Sequence, residues 1–222
     1  MFTAVIPARG HDDRIENKNI LSFADSNLLT HKIRQLKKCR NIQNIIVSTE
    51  SDEIAEISKN AGASVIARPL ELSLIDADFG LLCSHVADNV LTEHVIWAPV
   101  TCPLVTSKTF ENAIDVYSES ITKGYDSLIS VNKIKRYLLD ANGPLNFRFS
   151  KSSRQAAKLP VLHEYVNAIS ICSKTDMKKW KYNWGKIPYK FELPVHMQID
   201  ICDIFEYEVA KLVYGANHEI YD

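Results

Sequence analysis

Short apolar, β-branched runs alternate with segments whose apolar residues recur at helical spacing, and this alternation limits the folds open to the chain more than any other feature. The runs fall at 2–6, 44–49, 64–67, 94–98 and 127–131. Between them, Leu28, Leu29, Ile33 and Leu36 mark one helix. Ser51 caps a second that carries Ile54, Ile57 and Ala61 and stops at Gly62. Further helices are expected over 79–89 and 109–117. Strand, helix, strand at these intervals means βαβ units, right-handed crossovers and a largely parallel sheet. The expected fold class is α/β, a Rossmann-like three-layer αβα sandwich around a mostly parallel, mixed sheet.

The rhythm breaks at 132–166, which is basic and polar, with a turn at Asn142-Gly143-Pro144. This stretch reads as a small insertion in a single domain spanning 1–222, either a dimerisation segment that packs on a second subunit or a long surface excursion. The chain then returns with a strand over 167–172, a helix over 174–180 and a strand over 189–193. Asp203 and Glu206 have capping-box spacing and open a last helix through Val213.

Composition excludes several function classes. A formal net charge of −1 argues against broad electrostatic binding of nucleic acid or acidic membranes. No apolar run approaches the roughly 20 residues that span a bilayer, and no signal peptide is apparent. The five cysteines, Cys39, Cys83, Cys102, Cys172 and Cys202, form no C-x-x-C pair, which suggests reduced thiols in a cytoplasmic protein.

The first strand empties into a loop holding Arg9, Gly10, His11, Asp12, Asp13, Arg14, Glu16 and Lys18. Open α/β sheets bind ligands at the carboxyl ends of their strands. Gly10 would let the backbone approach a ligand and tolerate φ > 0, and successive loop N–H groups would form an anion nest beside Arg9 and Lys18. A phosphorylated nucleotide suits such a site, although neither a Walker sequence nor a Gly-x-Gly-x-x-Gly fingerprint is present.

Several motifs in collinear order resemble the sugar-acid cytidylyltransferases, in particular the acylneuraminate branch. They are Ile6-Pro7-Ala8-Arg9-Gly10 with Lys18-Asn19-Ile20, Val47-Ser48-Thr49-Glu50, Arg68-Pro69, Thr101-Cys102-Pro103-Leu104, Asn167-Ala168 and Ile199-Asp200-Ile201. The resemblance implies a nucleotidyltransferase that joins CTP to a 2-keto-3-deoxy sugar acid, giving a CMP-sugar acid and pyrophosphate. It also implies a homodimer acting in surface-polysaccharide biosynthesis. Nucleotide contacts are implied for Ala8, Arg9, Gly10, Lys18 and Asn19, for Arg68 near the cytosine, and for Thr101. Arg9, Lys18 and Asp200 are the implied catalytic set, with Asp200 as ligand to Mg²⁺. Arg154, Gln155 and Asn167 are the implied sugar-acid contacts.

Two departures stand out. Cys202 replaces the second aspartate of the metal motif, and a thiol is a poor ligand for hard Mg²⁺. His11-Asp12-Asp13-Arg14 replaces a Gly-Ser-Lys stretch, so that Arg14 is expected to take over the missing lysine's role. Ala98-Pro99-Val100 stands where a base-reading glutamine is usual, which leaves base recognition to backbone groups or Thr101. Two other readings remain open: a nucleotidyltransferase for another sugar and nucleotide pair, and a non-catalytic nucleotide-binding homologue.

Overall fold

Ala4 and Ile6 pack on one side of the first strand and Val5 on the other, the alternation of a strand buried on both faces. The computed structural model describes residues 1–148, 158–217 and 221. In chain order it begins with β1 (Phe2–Pro7), a small hairpin of β2 (Ser22–Phe23) and β3 (Ser26–Asn27), and α1 (Leu28–Lys37). There follow β4 (Ile42–Thr49), α2 (Asp52–Asn60), β5 (Ser64–Ala67), α3 (Phe79–Asn89) and β6 (His94–Trp97). Next come α4 (Ser107–Thr122), β7 (Ser127–Ile134) and a second hairpin of β8 (Leu139–Asp140) and β9 (Gly143–Pro144). The chain continues through β10 (Leu162–Ser173), α5 (Lys174–Trp180), β11 (Pro188–Glu192) and α6 (Ile204–Ala216).

Seven strands form one sheet in the order β11-β7-β10-β6-β1-β4-β5. Every pairing is parallel except those of β10, which runs antiparallel to both β6 and β7. Side chains from α1, α2, α4 and α6 share one core with Ala4, Ile6 and Ile96. Those of α3 and α5 share the other with Val5, Val95 and Trp97. The result is the expected three-layer α/β sandwich with a mixed, mostly parallel sheet.

The helix starts follow local chemistry. Asn27, Ser51, Asp78, Thr106, Ser173 and Asp203 each accept a backbone N–H of the first turn. At α6, Asp203 Oδ1 takes the Glu206 N–H at 2.9 Å, while the Glu206 carboxylate reaches back to the N–H of Cys202 at 2.6 Å.

The stretch at 132–166 does not leave the sheet as a whole. β7 continues to Ile134 and β10 begins at Leu162, with Leu162 opposite Ile134 and Glu164 opposite Asn132. Cross-strand polar pairs sustain this extension: Asn132 donates to Glu164, and Lys133 and His163 both approach Glu192. Among the described residues the excursion therefore covers only 135–148 and 158–161.

Between Tyr165 and Ser170 the register of β10 against β7 shifts. Ser130 Oγ fills the gap, donating to Val166 O at 2.6 Å and accepting the Ile169 N–H at 2.9 Å. Bulges of this kind redirect side chains beside functional sites, and here the bulge carries Asn167.

Candidate active site

The carboxyl ends of β1 and β6 and the bulge of β10 at Asn167, with the segments after β5 and before α6, enclose a cleft of about 460 Å³. Arg9, Asp12, Arg14, Lys18, Asn19 and Arg68 line one part of it, and Thr101, Asn167, Asp200 and Cys202 another. Phe79, Leu82, Trp97 and Pro99 supply an apolar wall, with Phe79 edge-on to Trp97 at 5.6 Å. The size and the mix of apolar wall and convergent polar groups suit a small-molecule site.

Asp12 organises the first loop. Its carboxylate lies 2.7 Å from Lys18 Nζ, 3.3 Å from Arg9 Nη2 and 3.9 Å from Arg14 Nε. Its Oδ1 also accepts the N–H groups of Arg14 and Ile15, closing an Asx-type turn. Burial alone would raise its pKa, but the Lys18 hydrogen bond, the Arg14 N–H and the Lys18 and Arg9 charges hold it well below the usual carboxylate range. Lys18 is thus a buried, ion-paired cation, not a solvated lysine. Asp13, next to Asp12 in the loop, pairs with His11 at the surface, 3.0 Å away. Asn19 Nδ2 donates to Arg9 O at 2.8 Å, bracing the backbone beneath the cation cluster.

Two expectations for this loop need correction. Gly10 is not among the residues with positive φ; its tight constraint is steric, since an added Cβ would stand 3.0 Å from Ser51 Cβ. Two of the N–H groups at this bend are also not free to bind an anion. The Gly10 N–H donates to Glu50 Oε1 at 2.6 Å and the Ala8 N–H to Ser48 O at 3.0 Å. The chain's own acceptors have filled these positions, so Ala8 and Gly10 shape the loop from beside the cleft.

Glu50 also accepts from Ser73 Oγ at 2.6 Å. Its burial is outweighed by the Ser73 and Gly10 hydrogen bonds and by the Arg68 charge, so its pKa is lowered. Arg68 itself rests on Ser48, donating from Nε to Oγ at 3.2 Å and from Nη2 to the carbonyl at 2.7 Å. Burial lowers its pKa to about 10, Arg9 adding to the effect and Glu50 opposing it, so it remains a cation at neutral pH.

Asp200 is the half-buried carboxylate on the far side. Burial pushes its pKa up, and the Thr101 hydroxyl and Cys102 thiol beside it counter only part of that. The Thr101 hydroxyl is therefore turned to Asp200, while its carbonyl accepts the Ile201 N–H at 2.8 Å. A desolvated carboxylate supported mainly by a hydroxyl and a thiol fits a site built for a cation. Cys202 lines the same cleft with its thiol pKa raised by burial and by Asp200, which Arg14 partly offsets. Among the described residues no group of three or more His, Cys, Asp or Glu could hold a metal.

The cleft therefore gathers Arg9, Arg14, Lys18, Asn19, Arg68, Thr101, Asn167 and Asp200. Asn167 accepts from the Tyr165 hydroxyl at 3.0 Å. Arg154 and Gln155 lie outside the described residues. Asp12 and the wall of Phe79, Leu82 and Trp97 were not anticipated. An aspartate two residues before Arg14 and six before Lys18 is the one sequence signal that pointed to the first.

A family model described as cytidylyltransferase matches residues 3–209. The N-acylneuraminate cytidylyltransferase of Escherichia coli O18:K1:H7 is 27% identical over 217 residues, covering 93% of this chain and 50% of that protein. The pseudaminic acid cytidylyltransferase of Campylobacter jejuni serotype O:2 is 24% identical over 225 residues, covering 97% of each chain. The chain thus spans half the length of the first relative and nearly all of the second. A CMP:2-keto-3-deoxy-manno-octonic acid synthetase complexed with CTP shares the fold, with a TM-score of 0.71 at 13% identity over 97% of this chain and 99% of that one.

Proposed function

Because the chain belongs to the cytidylyltransferase family, we propose that its cleft joins CTP to a 2-keto-3-deoxy sugar acid of the nonulosonic or octulosonic type. The observation that carries this reading is the convergence of Arg9, Arg14, Lys18 and Arg68 on one cleft with the desolvated carboxylate of Asp200. In the proposed reaction the anomeric hydroxyl of the sugar acid attacks the α-phosphorus of CTP. A new phosphorus–oxygen bond forms as the bond to the bridging oxygen breaks, pyrophosphate leaves, and the hydroxyl proton passes to solvent.

Such a transfer needs positioning and charge stabilisation more than covalent help. Arg9, Arg14 and Lys18 hold phosphate oxygens, Arg68 stands on the nucleotide side, and Asn167 faces the sugar acid. Ala8 and Gly10 contribute backbone shape, and the wall of Trp97 and Phe79 offers a surface to a sugar ring. Mg²⁺, held by Asp200, would neutralise phosphate charge and favour ionisation of the attacking hydroxyl. Arg154 and Gln155 are retained in the proposal as contacts to the sugar carboxylate.

By the same reading the enzyme is a cytoplasmic homodimer serving surface-polysaccharide biosynthesis. Leu139 and Leu145, exposed on the 135–161 excursion, support a role for it in subunit contact. No helix among the described residues is long and apolar enough to cross a membrane.

The test is pyrophosphate release with CTP and Mg²⁺ across a panel of sugar acids, repeated with ATP, GTP and UTP. Turnover confined to CTP is expected. Turnover with another nucleotide would move the assignment to a different sugar and nucleotide pair, which Pro99 in the base loop favours. Nucleotide binding without release would mean that Asp12, lodged among the phosphate-binding cations, has turned the fold into a binding protein.

A further inference from the structure

Lys32 on α1 is wholly buried. Its ammonium donates to the carbonyl of Cys102 at 2.9 Å and lies over the Phe110 ring at 5.1 Å. The neighbouring groups whose charge bears on it are the thiols of Cys102 and Cys39, and no carboxylate among the described residues forms an ion pair with it. Removing an ammonium from water without a counter-ion costs several kcal/mol, and an apolar side chain of similar length would fill the same space without that cost. A buried cation kept under those terms needs a reason beyond packing.

The position of that carbonyl supplies one. Cys102 belongs to the proline-bracketed segment after β6, whose Thr101 hydroxyl and Cys102 thiol flank the Asp200 carboxylate. The Thr101 carbonyl accepts the Ile201 N–H, so a backbone hydrogen bond joins the segment to the Asp200 loop. On the α1 side the next carbonyl, that of Pro103, accepts from Gln35 Nε2 at 2.8 Å and lies 3.1 Å from His31 Nε2. One helix thus grips two successive carbonyls directly behind the residues that touch Asp200.

We propose that Lys32 is a positioning residue for the metal-binding carboxylate: its ammonium fixes the Cys102 carbonyl and, through the Thr101–Cys102 pair, the direction in which Asp200 points. The proposal rests on the reading of Asp200 as the Mg²⁺ ligand. It assigns Lys32 no contact with either substrate.

The experiment measures Mn²⁺ binding to the protein–CTP complex by electron paramagnetic resonance, with CTP affinity in the absence of metal and the melting temperature as companion readouts. Lys32→Met keeps length and removes the donor. It is expected to weaken Mn²⁺ binding at least fivefold, leave metal-free CTP affinity within twofold, and melt no lower than the wild type. Gln35→Met, which loosens the adjacent Pro103 carbonyl, serves as the packing control and is expected to stay within twofold on all three readouts. Wild-type Mn²⁺ binding in Lys32→Met would overturn the proposal, as would an equal loss in Gln35→Met. Asp200→Ala separates the two layers: if it leaves Mn²⁺ binding intact, the metal reading falls and the proposal with it. If Asp200→Ala abolishes binding while Lys32→Met does not weaken it, only the proposal falls. Should Lys32→Met not fold, Lys32→Leu, which likewise removes the donor, is read by the same criteria.

Discussion

Lys18 Nζ lies 2.7 Å from Asp12 Oδ2, and both side chains are only 6% exposed. The pair sits at the lip of the cleft, so a cation suited to a triphosphate is already matched with an internal anion. Phosphate oxygens entering the site must share Lys18 and Arg9 with that carboxylate, and the balance between organisation and repulsion becomes measurable.

Asp12→Asn keeps an oxygen for the Arg14 and Ile15 N–H groups and removes the charge. It is expected to tighten CTP binding by about tenfold, equivalent to about 1.4 kcal/mol, by deleting one like charge near the phosphates. It should also cost roughly 3 kcal/mol of stability, because Lys18 is left buried without its partner. The folded-state pKa of Asp12 is depressed, so its contribution is present above the ordinary carboxylate value and is lost as pH falls. Wild type should therefore weaken below about pH 4 while the variant shows less of that acid loss. Calorimetric CTP titration and urea unfolding between pH 3 and 7 check both parts.

Arg68 makes its two contacts with Ser48 through a planar fork that lysine cannot copy. Arg68→Ala should raise the KM for CTP by about 10- to 100-fold, the loss of one charge-assisted contact, with kcat changed less than about threefold. Arg68→Lys should fall between the two. Steady-state kinetics at saturating sugar acid decides, and an unchanged KM in Arg68→Ala would remove Arg68 from the nucleotide site.

Cys202 faces the same cleft as Asp200 but offers a protonated thiol. Cys202→Asp supplies a second hard oxygen donor beside Arg14. The half-saturating Mg²⁺ concentration for turnover should drop by about threefold or more, since each added carboxylate strengthens a site for a hard cation. A rise in that concentration would mean that the metal does not approach Cys202.

Burial lowers the pKa of Lys32 from 10.5 to about 8. Below about pH 8 the lysine is protonated in both folded and unfolded chains, and the folded state bears the cost of the buried charge. Between 8 and 10.5 the unfolded chain holds a proton that the folded chain does not, so wild type gains stability as pH rises. That gain amounts to roughly 3 kcal/mol. Lys32→Met lacks it, and the stability difference between the two proteins, followed by urea unfolding from pH 7 to 10, should shift in favour of wild type by about that amount.

The parts of the fold legible in the sequence were those with a local cause. Ser51 and Asp203 announced helix starts through side chains that cap the next turn, and the apolar run at 2–6 announced a buried strand. The extension of β7 and β10 was hidden because Asn132, Lys133, His163 and Glu164 are polar, and only their cross-strand partners reveal that they pair. In the site, Arg9, Lys18, Arg68 and Asp200 were recognisable by type and context. Asp12 was not, because three cations and three carboxylates within one short loop admit several pairings, and the geometry alone selects Asp12 over Asp13. Lys32 gave no signal either, since a lysine on an amphipathic helix ordinarily reaches solvent.

The cleft draws on residues from Pro7 to Cys202, delivered by strands far apart in the chain and completed by an antiparallel strand whose register slips at Asn167. A site distributed in this way cannot be half built. Contacts between distant stretches of chain slow folding because loop closure must precede any reward, so turnover in a refolding sample reports closure of the whole sheet, and no single hairpin or helix pair can deliver it early.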